Sequence, residues 1–224
     1  SREPDEVLQE LREIASQGYR EVMLLGQNVN SYGRDLGEGA TDFASLLGQA
    51  ASIPGFVHVR FMTSHPKDLS RKLIDTIAEH PSVERHLHLP LQSGSDRVLH
   101  EMNRGYTRQT YLGIVEYARA RIPGLTISTD LIVGFPGETE DDFHDTLDMM
   151  EKIRFDIIFT FLYSPREGTP AARREDAVDP AVMSDRFNRL VSLQDAHSLA
   201  SNETTCGQHV RILIEGESSR PGVY

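Results

Sequence analysis

The 224-residue chain is 38% hydrophobic and 25% charged, enough apolar material for a packed core and too little charge for a disordered polymer. No apolar run approaches the roughly 18 residues of a membrane span, and Ser1-Arg2-Glu3-Pro4-Asp5-Glu6 lacks a signal peptide's basic start and apolar middle. The single cysteine, Cys206, excludes an intramolecular disulfide and a multi-cysteine metal site, and a formal net charge of -11 speaks against binding polyphosphate by charge alone.

In chain order, Pro4 suits the first position of a helix, where its missing N–H costs nothing. Val7, Leu8, Leu11, Ile14 and Ala15 then recur at helical spacing, and Gly18 ends the element. Residues 21–25 read as a strand running into Gly26-Gln27-Asn28-Val29-Asn30, and a helix follows over 43–52. The unit repeats. Residues 57–62 are a strand, 63–66 a loop, and 69–79 a helix with Leu69, Leu73, Ile74 and Ile77 on one face. A strand over 86–91 leads into Gln92-Ser93-Gly94. Ser95 caps a short helix and Thr107 a longer one carrying Tyr111, Ile114, Val115 and Ala118. A strand at 125–133 enters Gly134-Phe135-Pro136-Gly137-Glu138. Thr139 and Asp142 have capping-box spacing ahead of a helix with Phe143, Leu147 and Met150. Residues 156–162 form the last clear strand. Residues 173–176 are a charged linker, 180–202 a helix carrying Met183, Phe187, Leu190, Val191 and Leu193, and 209–215 a strand.

Five strands separated by helices imply βαβ units and a parallel sheet. Within them Val57, Val59 and Phe61 alternate with His58, Arg60 and Met62. Leu87 and Leu89 alternate with His86 and His88, and Leu125 and Ile127 with Thr126, Ser128 and Asp130. Sheets covered on both faces read as continuous apolar runs. One apolar and one polar face fits a wide barrel with helices outside and a polar interior; half-exposed strands would also give it.

Chemistry in parallel α/β folds sits beyond the C-terminal strand ends. Here those ends carry Gln27, Asn28 and Asn30; Thr63, Ser64 and His65; Gln92 and Ser93; Asp130 and Glu138; Tyr163, Ser164 and Arg166. Gly134 and Gly137 either let backbone approach a flat ligand or simply form a turn. Glu138 either favours the helix dipole or bonds a ligand. His58, His86 and His88 have no carboxylate or cysteine at ligand spacing, so no metal is assigned. His65 before Pro66 reads as a turn residue, and Arg104 and Arg166 as anchors for a carboxylate or phosphate, or as surface ion pairs. From the residues alone the chain is a parallel α/β protein with a polar, ligand-binding rim and no assigned catalytic residue.

Long ordered motifs add a family. They are Leu24-Leu25-Gly26-Gln27-Asn28-Val29-Asn30-Ser31-Tyr32-Gly33, Leu87-His88-Leu89-Pro90-Leu91-Gln92-Ser93-Gly94-Ser95 and Met102-Asn103-Arg104-Gly105-Tyr106-Thr107. Thr129-Asp130-Leu131-Ile132-Val133-Gly134-Phe135-Pro136-Gly137-Glu138-Thr139 and Tyr163-Ser164-Pro165-Arg166-Glu167-Gly168-Thr169 complete the set. Over essentially its whole length the chain resembles the methylthiotransferase family of radical S-adenosylmethionine enzymes, and its first motif resembles the branch acting on N6-isopentenyladenosine in tRNA. The resemblance implies a partial parallel (β/α) barrel at residues 1–172 without its first strand and cluster loop. A linker and helix at 173–205 and the start of a C-terminal RNA-binding β-barrel at 206–224 follow. It implies a fragment of a cytoplasmic enzyme, inactive alone, whose partners are S-adenosylmethionine and an anticodon-loop adenosine of tRNA, with no membrane. Two [4Fe–4S] clusters belong to the complete protein, their cysteines absent here.

On that resemblance S-adenosylmethionine lies across the strand ends. Gln27 and Asn28 come near its methionyl amino group, Gln92 and Ser93 near the ribose, and Val133 and Gly134 near the adenine. Asn30, Ser64, Asp130 and Glu138 complete the expected binding set. The rival readings are a methylthiotransferase acting on a ribosomal-protein aspartate or another modified tRNA adenosine, a cluster-free barrel acting on a phosphorylated metabolite, and a non-catalytic RNA-binding module.

Overall fold

The computed structural model describes residues 1–37, 39–62, 65–209 and 213–214. Helix and strand alternate. Pro4 opens α1 (Pro4–Ser16) at its first position. Then come β1 (Glu21–Leu24), α2 (Phe43–Ala51), β2 (His58–Phe61), α3 (Arg71–Glu79), β3 (His86–His88), α4 (Asp96–Glu101), α5 (Arg108–Arg121), β4 (Thr126–Val133), α6 (Glu140–Ile153), β5 (Ile157–Leu162) and α7 (Pro180–Thr205). Asp42, Ser70, Ser95 and Thr107 each accept a bond from the amide three residues on, which fixes where four helices start. Thr139 and Asp142 make the reciprocal capping box of α6.

Most boundaries shift from the sequence reading by one to three residues, and two of the shifts have a visible cause. Leu69 precedes α3 because Ser70 is the cap, yet it is still buried. Regular pairing of β3 stops at His88, not at residue 91. Pro90 has no N–H for a ladder. The Thr129 hydroxyl takes over there, donating to Leu89 O and accepting from Leu91 N at 2.9 and 2.8 Å. A backbone bridge to β4 resumes only at Gln92, opposite Leu131.

β1 pairs with β2, β3 with β4, and β4 with β5, all parallel. The two ladders meet where Val59 of β2 bridges Val83, just ahead of β3, so the strands follow chain order. Among the described residues β1 and β5 each have one unpaired edge, and the barrel is partial. Val59, Phe61, Leu87, Leu89, Ile127, Leu131 and Val133 are buried in one core with the helices.

The opposite, inner face is polar along β2 to β4, as the alternation predicts. Arg60 pairs with Glu21 and Glu84. His86 bonds Thr126 and Ser128, and His88 bonds the same Ser128 hydroxyl, all at 2.9 Å. Elsewhere the inner face is apolar. Ile157, Phe159 and Phe161 of β5 are 49%, 47% and 52% exposed, and the Phe159 ring stands edge-on to His88 at 6.0 Å.

The charged stretch after β5 packs against the rim and does not act as a free linker. Arg174 pairs with Glu101 and Asp176, and the Gly137 amide donates to Asp176 O at 2.8 Å. In α7 the buried positions are Arg186, Leu190 and Gln194, so two polar side chains share the face the sequence presents as apolar. The strand expected at 209–215 falls mostly on residues outside the described set, at 210–212 and 215. No helix among the described residues is long and apolar enough to cross a membrane.

Candidate functional site: the rim of strand tips

Parallel strands put all five C-terminal ends on one rim. At the tip of β1 the chain turns through Asn28, whose Nδ2 donates to Asp68 Oδ2 at 2.7 Å. The Oδ1 of Asn28 is buried and has no hydrogen-bond partner. Gln27 is exposed and Asn30 half-buried beside it. Asp68 also accepts from Arg34 at 2.6 Å. Burial pushes its carboxyl up, but Arg34 and Asn28 outweigh this and hold it below the usual range.

Asp68 belongs to a short 3-10 turn, Pro66–Asp68, capped by His65, whose Nδ1 accepts from the Lys67 amide. His65 is therefore the turn residue its Pro66 neighbour suggests, and burial lowers its pKa. Its ring meets Tyr106 at 5.7 Å. The Tyr106 hydroxyl donates to Pro90 O and Leu91 O, both at 3.0 Å, tying this turn to the loop after β3.

In that loop Gln92 adopts φ 70°, a left-handed conformation uncommon for a residue with a side chain. Its amide donates to Asp130 O at 2.8 Å and its carbonyl accepts from Ile132 at 2.9 Å. Ser93 is fully buried, and its Oγ accepts from the Ser95 amide. Gly94 is required by close approach: an added Cβ would overlap the Asp145–Thr146 backbone of α6. Its amide donates to Thr146 Oγ1 at 2.9 Å.

Asp130 lies within β4, three residues short of the strand end where the sequence reading put it, on the inner face with its Oδ2 3.6 Å from His88 Nε2. Val133 points into the core. Gly134 sits at φ 80°, and a Cβ there would come within 2.5 to 2.8 Å of Met183 in α7. The close approach its sequence suggests is thus one of protein to protein on that side. Glu138 is buried, accepts from the Gly134 amide at 2.9 Å, and pairs with Arg186. Both bonds fall on Oε2, so one carboxylate oxygen ties the turn to α7. Burial pushes this carboxyl up, against the pull of Gly134 and Arg186.

The structure therefore joins Gln92, Asp130, Gly134 and Glu138 through β4, and Gln27 with Asn28 at β1. Asp68, His65 and Tyr106 link the two groups. Ser64 lies outside the described residues. Asp68 and Arg186 escaped sequence reasoning. Neither stands in a motif, and Arg186 sits within an apolar-looking helical stripe. A cleft of about 680 Å³ runs along the open edge of β1 beside α1, lined by Val7, Leu11, Ile14, Val22 and Leu24; it reaches Gln27 and Asn28 but not the β4 group.

Among the described residues no three His, Cys, Asp or Glu side chains are placed to hold a metal, and Cys206 is exposed after α7. Residues of this chain do not fit an iron–sulfur cluster. A polar small molecule fits better, because Asn28 Oδ1 and Tyr163 Oη, at the tips of β1 and β5, are buried without hydrogen-bond partners.

Residues 1–150 match the family model described as the Radical SAM superfamily. The chain belongs to the radical SAM superfamily. Solved structures agree on the fold of this radical SAM chain. Coproporphyrinogen III oxidase (HemN) from Escherichia coli, described as a radical SAM enzyme, superposes with TM-score 0.61 at 17% identity, over 87% of this chain and 46% of that one. Streptococcus suis SuiB bound to S-adenosylmethionine gives TM-score 0.55 at 13% identity, over 90% and 40%. Two curated relatives are named tRNA-2-methylthio-N(6)-dimethylallyladenosine synthase. The one from Pelotomaculum thermopropionicum is 50% identical over 98% of this chain and 49% of its own length. The one from Acetivibrio thermocellus is 51% identical over 97% and 45%. The radical SAM chain thus spans about half the length of these relatives.

Proposed function

We propose that this chain is the S-adenosylmethionine-holding part of a cytoplasmic tRNA methylthiotransferase that places a methylthio group on C2 of N6-isopentenyladenosine. The observation that carries the reading is identity of about half over nearly the whole chain to two proteins of that name. A continuous polar rim on one end of a parallel sheet supports it. The iron–sulfur clusters belong to the rest of the protein, since the side chains here do not fit them.

Bound S-adenosylmethionine supplies the methyl group and the radical source; this chain binds, orients and encloses it. Asn28 offers an unpaired carbonyl oxygen for an ammonium or amide donor. Gln92 and Asp130, bonded through their backbones, set the polar edge between β3 and β4. The exposed apolar faces of Ile157, Phe159 and Phe161 suit the flat faces of nucleobases and exclude water from them. The domain division at residues 172 and 205 belongs to this same reading.

Equilibrium dialysis of S-adenosylmethionine with the full-length protein tests it. Asn28→Ala and Asp130→Ala are each expected to raise Kd about tenfold, the worth of one or two hydrogen bonds. Unchanged Kd in both variants would reject the site assignment.

A further inference from the structure

We propose that Arg186 is a positioning residue for the part of the rim that meets the nucleoside, holding the Gly134–Glu138 turn in place from α7. This rests on the reading that S-adenosylmethionine lies against that turn. Arg186 lies outside the residues matched by the family model, which end at 150.

Its side chain is 5% exposed and that of Glu138 2%. Arg186 Nη1 donates to Glu138 Oε2 at 2.9 Å and to Glu138 O at 3.1 Å, while Nε donates to Glu140 Oε2 at 3.1 Å. The guanidinium lies over the Phe143 ring, 5.6 Å from its centre. The Glu138 oxygen that meets Arg186 also accepts the Gly134 amide at 2.9 Å. One carboxylate oxygen thus joins α7 to the first residue of the turn.

The rest of α7 fits this role. Met183, three residues before Arg186 and so on the same helix face, covers Gly134. Two turns further on, Gln194 donates to Asp156 O at 3.1 Å, at the foot of β5. The helix therefore spans the β4–β5 pair from its foot to its tip. A buried ion pair is a poor way to gain stability, because desolvation offsets most of the attraction. Its fixed bond directions are what an apolar pair would lack, and they point at the turn.

The test is full-length holoprotein carrying Arg186→Met, Arg186→Lys, or Arg186→Met with Glu138→Gln, with Tm and Kd for S-adenosylmethionine read on the same samples. Arg186→Met strands a buried carboxylate, so Tm falls and Kd rises about tenfold or more. The double variant removes that charge and keeps an acceptor for Gly134. Its Tm recovers while Kd stays raised, because the tether to α7 is still cut. Arg186→Lys restores part of the affinity. A Kd that returns with Tm in the double variant, or never moves, overturns the positioning role. Wild-type protein that fails to bind S-adenosylmethionine overturns the proposed function, and this inference with it.

Discussion

Asp142 shows how much one side chain can organise. It closes the capping box of α6 with Thr139, accepts the Ser95 hydroxyl at 2.6 Å, and pairs with Arg97. Burial alone would push its carboxyl up, but these donors outweigh burial and hold it well below the ordinary 3.8. A carboxyl lowered on folding stabilises the fold fully above its ordinary pKa, and that stability drains away as pH falls below it. Asp142→Asn is therefore expected to lower stability by about 1 to 2 kcal/mol at neutral pH. The gap to wild type should narrow as pH drops below 3.8, followed by urea unfolding at stepped pH; a gap constant with pH would mean that charge plays no part. Half of this residue was legible, since the spacing to Thr139 names the cap. The bonds to Ser95 and Arg97 come from 47 and 45 residues away and no local pattern announces them. Gln92 is the opposite case. Its motif marks it as special, but its left-handed backbone is visible only in the structure.

Elements followed the sequence wherever a single local cause fixed them. Ser70, Ser95 and Thr107 are caps in both readings or shift a boundary by a residue or two. The inner apolar face of β5 was missed because Ile157, Ile158, Phe159, Phe161 and Leu162 are apolar on both sides of the strand, leaving no alternation to read. α7 was legible as a helix and not as part of the core, because the residues that bury it include Arg186 and Gln194. The end of α6 was unforeseen as well: Arg154 follows it at φ 51°, a conformation glycine adopts without a Cβ penalty. Arg154→Gly is expected to stabilise the protein by about 0.5 to 1 kcal/mol, raising Tm by a few degrees. The bond from Arg119 to residue 154 uses the backbone carbonyl and survives the change. A fall in Tm would show that the arginine side chain itself holds the end of α6.

At the scale of the molecule, the sheet direction gathers five loops on one rim, and the charge limits what that rim can do alone. With 34 acidic against 23 basic side chains, the chain repels a phosphate backbone except where arginines stand together. Many of its arginines are already spent on carboxylates, as Arg34, Arg97, Arg108, Arg174 and Arg186 are. Affinity for RNA grows with the number of phosphates neutralised and falls steeply with salt. Residues 1–224 alone are therefore expected to show no tRNA binding at roughly physiological salt, while the full-length protein binds with a clear salt dependence. Filter binding across a salt series separates the two, with the loss of log affinity per log salt counting phosphate contacts at about 0.9 each on duplex or 0.7 on single-stranded RNA. Should the isolated chain retain the full protein's affinity and slope, the phosphate-binding surface lies on this acidic part after all. The proposed division between a cofactor-holding rim and a separate RNA-binding part would then have to be abandoned.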